Sequence, residues 1–365
     1  MINVGSPCLN GNEKKYVMDC MDSSWISSNG KYIEQFEKMF AEFVGAKHAI
    51  AVANGTVALH LALLGVGIEP GDEIVMPTLS YIATANSATY CGAKTVFVDS
   101  EKETGNVDCD AIEKKITNKT KAILPVHLYG HSFDVDKVKA IAKKHNLFLI
   151  EDAAEAIGAT YKGKHVGALG DVGIFSFFGN KIITTGEGGM VVTNDDQMAE
   201  KMRLLKGQGM DPNKRYWHIM VGYNYRMTNI EAAIGVGQME KINWHLDRRQ
   251  EIAKKYDELL SKHQDKLILP VQKEYAKHCY WMYTVILKED SETSRDEVMA
   301  RMAKKDVETR PVFYPMHSMP MYAHGNESFP IAENISKNGI NLPSHANISF
   351  SDQEKIVNAL IESLS

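Results

Sequence analysis

One lysine and one carboxylate follow apolar runs of the sequence at positions where they could take part in carbonyl chemistry. Lys181 comes shortly after the run VGIFSF (172–177) and precedes a glycine-rich turn, and Asp152 ends the run LFLIED (147–152). A lysine amine attacks a carbonyl group only when it is neutral, and the edge of a buried sheet disfavours its charge. A carboxylate at the end of an apolar strand needs a cation or hydrogen-bond donors. For any single lysine, a surface loop is the more common explanation.

Four further residues could hold a planar, phosphorylated molecule beside the lysine. Gly55 and Thr56 open a predicted helix, and the backbone N–H groups at a helix N-terminus bind anions. Tyr81 follows the second apolar run and could stack on a ring, while Ser176 could offer a hydroxyl to a phosphate. Taken alone, each has a simpler explanation, such as a helix N-cap or a core aromatic residue. Together with the lysine and the carboxylate, they are the parts that pyridoxal 5′-phosphate (PLP) requires.

Asp152 would then face the protonated pyridine nitrogen of PLP. At an effective dielectric of about 20 and a separation of about 4 Å, such a pair attracts by about 4 kcal/mol. This attraction would keep the ring protonated and make it an electron sink. A helix N-cap or a magnesium-binding acid is the alternative, and the second is weakened because the chain has no G-x-x-x-x-G-K-[ST] loop. No G-x-G-x-x-G follows the first run either, which disfavours a nicotinamide-dependent oxidoreductase.

The elements that must position these residues alternate along the chain between about residues 48 and 195. Apolar, β-branched runs suit strands buried on both faces, and helical patterns at 56–66, 134–145 and 196–205 separate them. The alternation predicts an α/β fold with a mostly parallel seven-stranded sheet. Ligands bind at the carboxyl ends of the strands in such sheets, which is where the residues above fall. The predicted strands are HAIAVA (48–53), EIVMP (73–77), TVFVD (95–99), AILPVH (122–127), LFLIED (147–152), VGIFSF (172–177) and MVVTN (190–194).

The pattern changes after about residue 245, where charged helices surround a strand at 281–287. We therefore predict a large domain over residues 1–245, which includes the N-terminal segment, and a smaller C-terminal α+β domain over 246–365. A length of 365 residues suits such a division, because it exceeds what one small core needs.

Composition and charge favour a cytoplasmic protein. The formal net charge of −5 argues against nucleic-acid binding, because proteins that bind nucleic acids usually have clusters of basic residues. The five cysteines show no CxxC pair and no metal-ligand spacing, so we expect reduced thiols and no metal site. The chain has no secretory signal pattern and no run of 18 or more apolar residues, so we expect no membrane segment.

The chain resembles the DegT/DnrJ/EryC1/StrS family, the sugar aminotransferases of PLP fold type I, almost end to end. The resemblance is closest to the perosamine-forming branch, whose members transfer the amino group of L-glutamate to a GDP-linked 4-keto-6-deoxyhexose. The segments that carry it are GSPCLNGNEKKY, SSWISSNGKYIEQFE, IEDAAEAIGA, GDVGIFSFFGNKIITTGEGGM, RYWH, GYNYRMTNIEAAIG and NLPSH.

The resemblance implies a role for each candidate residue. Lys181 would form the Schiff base with PLP and move the proton between cofactor and substrate, and Asp152 would pair with the pyridine nitrogen. Tyr81 would stack on the ring, and Gly55, Thr56 and Ser176 would bind the phosphate. Asn224 would reach the phosphate of the neighbouring subunit, which implies a homodimer with shared active sites.

Two positions place the chain within the family. Glu155 stands beside the cofactor's hydroxyl, where many members carry Gln, and Glu is found in the perosamine-like branch. Lys181 stands where the dehydratases of the family have His, which argues against dehydration here.

Residues for the substrate are harder to assign. Packing at the surface or at an interface explains each candidate about as well as substrate binding does. His127 and Tyr129, in VHLYG, lie at a strand end and could line the cofactor pocket or be structural. The substrate candidates are Arg215, Trp217, His218, Tyr314 and His317, with Arg310 as a weaker one.

The resemblance thus predicts a PLP-dependent aminotransferase that works by a ping-pong mechanism, with L-glutamate as donor and a nucleotide-linked 4-keto-6-deoxyhexose as acceptor. One alternative is the same transamination of another phosphorylated ketone, such as a UDP-linked keto sugar or a small ketotriose phosphate. A distant alternative is a PLP-binding protein without turnover.

Overall fold

The computed structural model describes residues 1–289, 291–323 and 327–364. The α-helices of the described chain are α1 (Glu13–Ser23), α2 (Lys31–Val44), α3 (Gly55–Val66), α4 (Ala83–Tyr90), α5 (Cys109–Ile112), α6 (Val135–His145), α7 (Asp196–Lys206), α8 (Asn229–Met239), α9 (Ile242–Leu260), α10 (Arg295–Ala303), α11 (Pro330–Asn338) and α12 (Phe350–Ser363). The strands are β1 (His48–Val52), β2 (Glu73–Pro77), β3 (Lys94–Val98), β4 (Thr120–Ile123), β5 (Phe148–Asp152), β6 (Thr160–Tyr161), β7 (Lys164–His165), β8 (Val172–Ser176), β9 (Gly189–Thr193), β10 (Leu267–Ile268), β11 (Ala276–Lys277), β12 (Tyr283–Leu287), β13 (Arg310–Pro311) and β14 (Gly339–Leu342).

A seven-stranded sheet organises the first two thirds of the described chain, with the strand order β1-β9-β8-β5-β4-β2-β3. The neighbours from β8 to β3 all pair in parallel. Only β9 runs against its two neighbours, β1 and β8. The prediction of a mostly parallel seven-stranded sheet is confirmed.

Aromatic packing fixes which way the end of β8 faces. Phe40 of α2 meets Phe175 at 4.8 Å between ring centroids, and Phe36 meets Phe177 at 4.9 Å. Because side chains alternate along a strand, Ser176 points to the opposite face of the sheet, where α3 packs on β8 and β9. The apolar pattern of VGIFSF thus presents a single hydroxyl toward the start of α3.

The fourth strand is shorter than predicted. Its regular pairing ends at Ile123 rather than at residue 127. Pro125 has no N–H to donate, so the ladder is interrupted there. The Pro125 carbonyl still accepts the N–H of Asp152 at 3.0 Å, and Val126 bridges Asp152 in parallel. The chain therefore stays beside the end of β5, where Asp152 lies.

A second, smaller core lies in the C-terminal part of the chain. There β10, β12, β14 and β13 form a four-stranded sheet, and its apolar side chains pack with those of α9, α10 and α12. The helix α9 contributes Ile242 to the first core and Ile252 and Tyr256 to the second. One helix therefore runs through the boundary predicted near residue 245, and that boundary stays a prediction.

Two features are absent from the described residues, a membrane-spanning helix and a metal-binding cluster. No helix within 1–289, 291–323 and 327–364 is long and apolar enough to cross a membrane. Over the same residues, no group of three or more His, Cys, Asp or Glu side chains is arranged to hold a metal ion.

Candidate active site

The carboxyl ends of β1 and β8 meet across a single glycine. Gly189, the first residue of β9, is paired with Val52 on one side and Ser176 on the other. A Cβ atom at Gly189 would lie 2.5 Å from the carbonyl oxygen of Asn54. Only glycine lets the loop after β1 come this close, and the close approach brings the start of α3 beside Ser176.

The first turn of α3 forms a small cradle with Ser176. The side-chain oxygen of Asn54 caps the helix by accepting the N–H of Val57 at 3.0 Å. The N–H groups of Gly55 and Thr56 precede this one and have no acceptor within the helix. A Cβ atom at Gly55 would lie 3.1 Å from the hydroxyl oxygen of Ser176. Backbone donors and a hydroxyl therefore converge on a space that a side chain at Gly55 would narrow.

Asp152 is buried at the end of β5, and two donors orient its carboxylate. One oxygen accepts the hydroxyl of Thr84, in α4, at 2.8 Å, and the other accepts the N–H of Ala154 at 3.1 Å. Burial raises the pKa of Asp152, while the bonds from Thr84 and Ala154 act in the opposite direction. A cation placed against this carboxylate would remove the cost of its burial.

The amine of Lys181 lies in the same region, after the turn that follows β8. Its Nζ is 3.6 Å from the ring centroid of Trp281, which lies two residues before β12. Burial lowers the pKa of Lys181, and the negative charges of Glu155 and Asp152 partly offset this. A lowered pKa increases the neutral fraction of the amine, which is the form that attacks a carbonyl.

Glu155 is the second buried carboxyl group near the lysine. It accepts the N–H of Tyr129 at 2.7 Å, and burial raises its pKa, with Lys181 acting against the rise. Tyr129 itself has φ 52°, in the left-handed region. Such a backbone conformation is costly for a tyrosine. Here it directs the N–H of Tyr129 toward the carboxylate of Glu155.

An aromatic wall links Tyr81 to Lys181. The Tyr81 ring is 57% exposed and lies 5.8 Å from the Phe313 ring. Phe313 stacks on Tyr129 at 5.2 Å, and Tyr129 lies 6.0 Å from Trp281. The free face of Tyr81 is thus available to a planar ligand on the same edge of the sheet.

The His127 side chain belongs to a different network. Its Nε2 lies 3.0 Å from a carboxylate oxygen of Glu151, and its ring stacks on Phe133 at 4.4 Å. Glu151 also accepts three backbone N–H groups from the segment 167–170. Because Glu151 and Asp152 are successive residues of a strand, their side chains face opposite sides of the sheet. These contacts favour the structural role for His127.

Three of the substrate candidates lie on an exposed loop. The guanidinium of Arg215 covers the ring of Tyr216, and the Lys214 amine lies 3.9 Å from the ring of Trp217. His218 Nδ1 lies 2.9 Å from the carbonyl oxygen of Gln208. These contacts are with their own loop or its base, and none of the three is with Lys181 or Asp152.

Asn224 follows this loop and is also exposed. Its side-chain oxygen accepts two bonds from the Arg226 guanidinium, at 3.1 and 3.2 Å. The backbone of Arg226 in turn forms an antiparallel β-bridge with Val52, at the end of β1. The residue is therefore held at the edge of the sheet beside β1, with its side chain directed outward.

The remaining substrate candidates differ in their exposure and in their contacts with other residues. Tyr314 is more than half exposed and follows Phe313 of the aromatic wall. His317 is engaged at both ring nitrogens, since Nδ1 lies 2.7 Å from the Thr78 hydroxyl and Nε2 lies 3.2 Å from Glu333. Arg310, on β13, pairs with Glu308 at 3.5 Å.

Comparison with known proteins identifies a family that matches this chain. The DegT/DnrJ/EryC1/StrS aminotransferase family matches residues 7–361. The chain is 54% identical over 360 residues to the GDP-perosamine synthase of Caulobacter vibrioides. The aligned region covers 98% of this chain and 97% of that protein. It is 51% identical over 350 residues to the GDP-perosamine synthase of Escherichia coli O157:H7, with 95% and 94% covered.

The chain belongs to the DegT/DnrJ/EryC1/StrS aminotransferase family. A solved structure agrees with this assignment. PseC of Helicobacter pylori, an aminotransferase involved in the biosynthesis of pseudoaminic acid, matches with a TM-score of 0.94 and 30% identity over 100% of this chain and 99% of its own. The protein is thus a PLP-dependent aminotransferase of fold type I, as the sequence predicted.

The residues at the sheet edge fit the cofactor of this aminotransferase. The cradle at Gly55 and Ser176 offers donors to a phosphate, and the buried carboxylate of Asp152 suits a cationic ring nitrogen. The amine of Lys181 lies against the ring of Trp281, and Asp152 is close enough for its negative charge to raise the pKa of the amine. Anion donors, a buried counter-charge and an amine of lowered pKa are the set that PLP requires.

Sequence reasoning missed three residues of this site. Thr84 orients Asp152, and Phe313 and Trp281 complete the aromatic wall. Thr84 lies three residues after Tyr81, so the polar stretch after β2 held a usable signal. The other two lie at least 100 residues from Lys181, Asp152 and Tyr81 in the sequence, and no local pattern connects them.

Proposed function

We propose that this aminotransferase moves the amino group of L-glutamate onto the ketone of a GDP-linked 4-keto-6-deoxyhexose. The observation that carries the transamination is the amine of Lys181, with its lowered pKa, beside the buried carboxylates of Asp152 and Glu155. The acceptor is supported by the relatives named GDP-perosamine synthase, which are 47–54% identical over almost the whole chain.

The proposed roles follow from where each group lies. When bound, PLP supplies an electron sink that stabilises negative charge next to the reacting carbon. Lys181 is the base that takes the proton from this carbon and the acid that returns it, for which a lowered pKa is suitable. Asp152 stays ionised against the ring nitrogen, since a cation there opposes the effect of burial on its pKa.

The other residues bind and orient. Gly55, Thr56 and Ser176 hold the phosphate by backbone N–H groups and a hydroxyl. Tyr81 covers one face of the ring. Glu155, fixed by the N–H of Tyr129, lies at the position proposed to meet the cofactor's hydroxyl.

We further infer that the active unit is a homodimer in the cytoplasm with shared active sites. The loop before Asn224 exposes apolar side chains to a high degree, with Tyr216 at 76% and Val221 at 88%. Such exposure in a cluster is typical of a protein interface. We propose that Asn224 of one subunit reaches the phosphate held by its neighbour. Arg215, Trp217 and His218 would approach the neighbour's substrate, and Tyr314 would approach the substrate in its own subunit.

His317 is also proposed to contact the substrate, and both of its ring nitrogens have protein partners in the free protein. Its effect on substrate would therefore depend on one of these contacts opening. The pathway would be the biosynthesis of a polysaccharide that contains an amino sugar.

An assay of several ketones with one donor tests the proposal. The purified enzyme with PLP and L-glutamate is supplied with GDP-linked and UDP-linked 4-keto-6-deoxyhexoses and with a ketotriose phosphate, and 2-oxoglutarate release is measured. We expect turnover with the GDP-linked sugar and loss of turnover in Lys181→Ala. Turnover only with a ketone that carries no nucleotide would overturn the proposed acceptor while leaving the transamination intact.

A further inference from the structure

Trp281 holds the lysine loop at two points, and the sequence alone gave it no role. Its ring face lies 3.6 Å from Nζ of Lys181, and its indole N–H donates to the carbonyl of Asn180 at 2.8 Å. The side chain is buried, so the ring has little freedom to move. One side chain therefore contacts both the amine and the backbone directly before it.

The backbone of Trp281 is itself held by a hydrogen bond from Arg249. Its carbonyl accepts a bond from the buried Arg249 guanidinium at 3.1 Å, and the same nitrogen donates to the carbonyl of Ser344 at 2.6 Å. Arg249 lies on α9, the helix that contacts both cores. The position of the indole ring is thus set by a rigid part of the fold rather than by the lysine loop.

The chemistry of an aminotransferase makes this contact relevant. While Lys181 is free, its amine becomes an ammonium group when it takes the proton from the reacting carbon, and it returns that proton later. An ammonium group in a dry pocket needs a partner, and the face of an indole attracts a cation more strongly than other aromatic rings do. The distance of 3.6 Å is well within the range of this interaction.

We propose that Trp281 is a positioning residue for Lys181, whose indole face receives the ammonium form of the free side chain and keeps it beside the reacting carbon. This inference rests on the proposed role of Lys181. The charged or titratable groups that face the amine are Asp152 at the end of β5, Glu155 three residues later, and the thiol of Cys279 before β12. All three are present in every variant below, so only the ring changes.

The rate at which the full-length protein, prepared without cofactor, takes up PLP tests the proposal. Only the neutral amine reacts, so the rate of appearance of the visible band rises with pH to a plateau, and the midpoint reports the pKa of the free Lys181. The protonation of PLP itself is the same in all samples and cancels in the comparison. Trp281→Leu removes the ring and should lower the midpoint by about one pH unit.

Two variants control this measurement. Trp281→Phe keeps a ring but loses the indole, so its midpoint should fall by less than that of Trp281→Leu, and circular dichroism identifies any variant that fails to fold. If only Trp281→Phe folds, a lowered midpoint in that variant supports the proposal. Trp244→Phe changes an exposed tryptophan on α9 and should leave the midpoint unchanged.

The outcomes separate this inference from the proposed function. A midpoint that stays at the wild-type pH in both Trp281 variants, with only a lower plateau, would mean that the indole is merely structural and would overturn the inference. Absence of the band from wild-type protein at every pH would instead overturn the proposed role of Lys181.

Discussion

A Cβ atom added to Gly55 would lie 2.9 Å from the Cβ atom of Ser176, so the first turn of α3 and the last residue of β8 are already in close contact. The two residues are 121 positions apart in the sequence. Their contact converts two separate strand ends into one anion cradle, and Gly189 between them permits it. Most of the proposed cofactor site is built outward from this contact.

The first prediction concerns this cradle. Gly55→Ala places a methyl group against Ser176 and should weaken PLP binding by a factor of about ten or more, since 1.4 kcal/mol corresponds to tenfold in affinity. The dissociation constant can be measured by titrating the cofactor-free protein and following the visible band. Ser176→Ala removes only a hydroxyl and should have the smaller effect. An equal or tighter affinity in Gly55→Ala would contradict the proposed phosphate site.

The second prediction separates the charge of Asp152 from its orientation. Asp152→Asn removes an attraction of about 4 kcal/mol for the ring nitrogen, so kcat should fall by a factor of about a thousand. Thr84→Val keeps the charge and loses one hydrogen bond to it, so kcat should fall by about tenfold. Steady-state kinetics with L-glutamate and the keto sugar measures both. If Thr84→Val were as inactive as Asp152→Asn, geometry rather than charge would dominate.

The third prediction concerns pH and Glu155. Burial raises the pKa of Glu155 in the folded, cofactor-free protein. The folded state therefore binds more protons than the unfolded state between the two pKa values, and its stability falls as pH rises through this range. Glu155→Gln cannot lose a proton, so its Tm should fall less than that of the wild type between pH 5 and pH 8.

Glu274→Gln is the matched control for this measurement, because Glu274 is exposed on the surface. Its melting temperatures should follow those of the wild type at both pH values. If Glu155→Gln showed the full wild-type loss of stability, Glu155 would not be the group that takes up the proton.

The fourth prediction tests whether active sites are shared between subunits. Lys181→Ala and Asn224→Asp should each be nearly inactive, the second because its new charge repels a phosphate. Random mixing of the two makes half of the dimers mixed, and each mixed dimer has one site with both native residues, so about a quarter of the wild-type activity should return. No recovery after dissociation and reassociation would place Asn224 in its own subunit's site or outside any site.

The sequence was sufficient for the sheet and for the residues at strand ends, because both follow from local patterns. Asp152 and Ser176 close apolar runs, and parallel strands bring such ends to one edge. The predicted strand β4 was too long because the apolar run continues to residue 127. The hydrogen bonds between strands are interrupted earlier, at Pro125, which has no N–H. Trp281 could not be found, since its contact with Lys181 joins two segments that are 100 residues apart in the sequence.

Asn224 and the exposed loop before it show a different limit. Within one chain their side chains face outward, and their proposed partners belong to a second subunit. The family resemblance suggested this role, whereas neither the spacing of residues nor the geometry of a single chain requires it.

The most direct test of the central claim is to identify the lysine that binds the cofactor. The protein is incubated with PLP, treated with borohydride to fix any Schiff base, digested, and analysed by mass spectrometry. We predict a single modified peptide in which Lys181 carries the pyridoxyl phosphate group, and no modification when L-glutamate has first released the lysine. Modification of a different lysine, or none at all, would contradict the account.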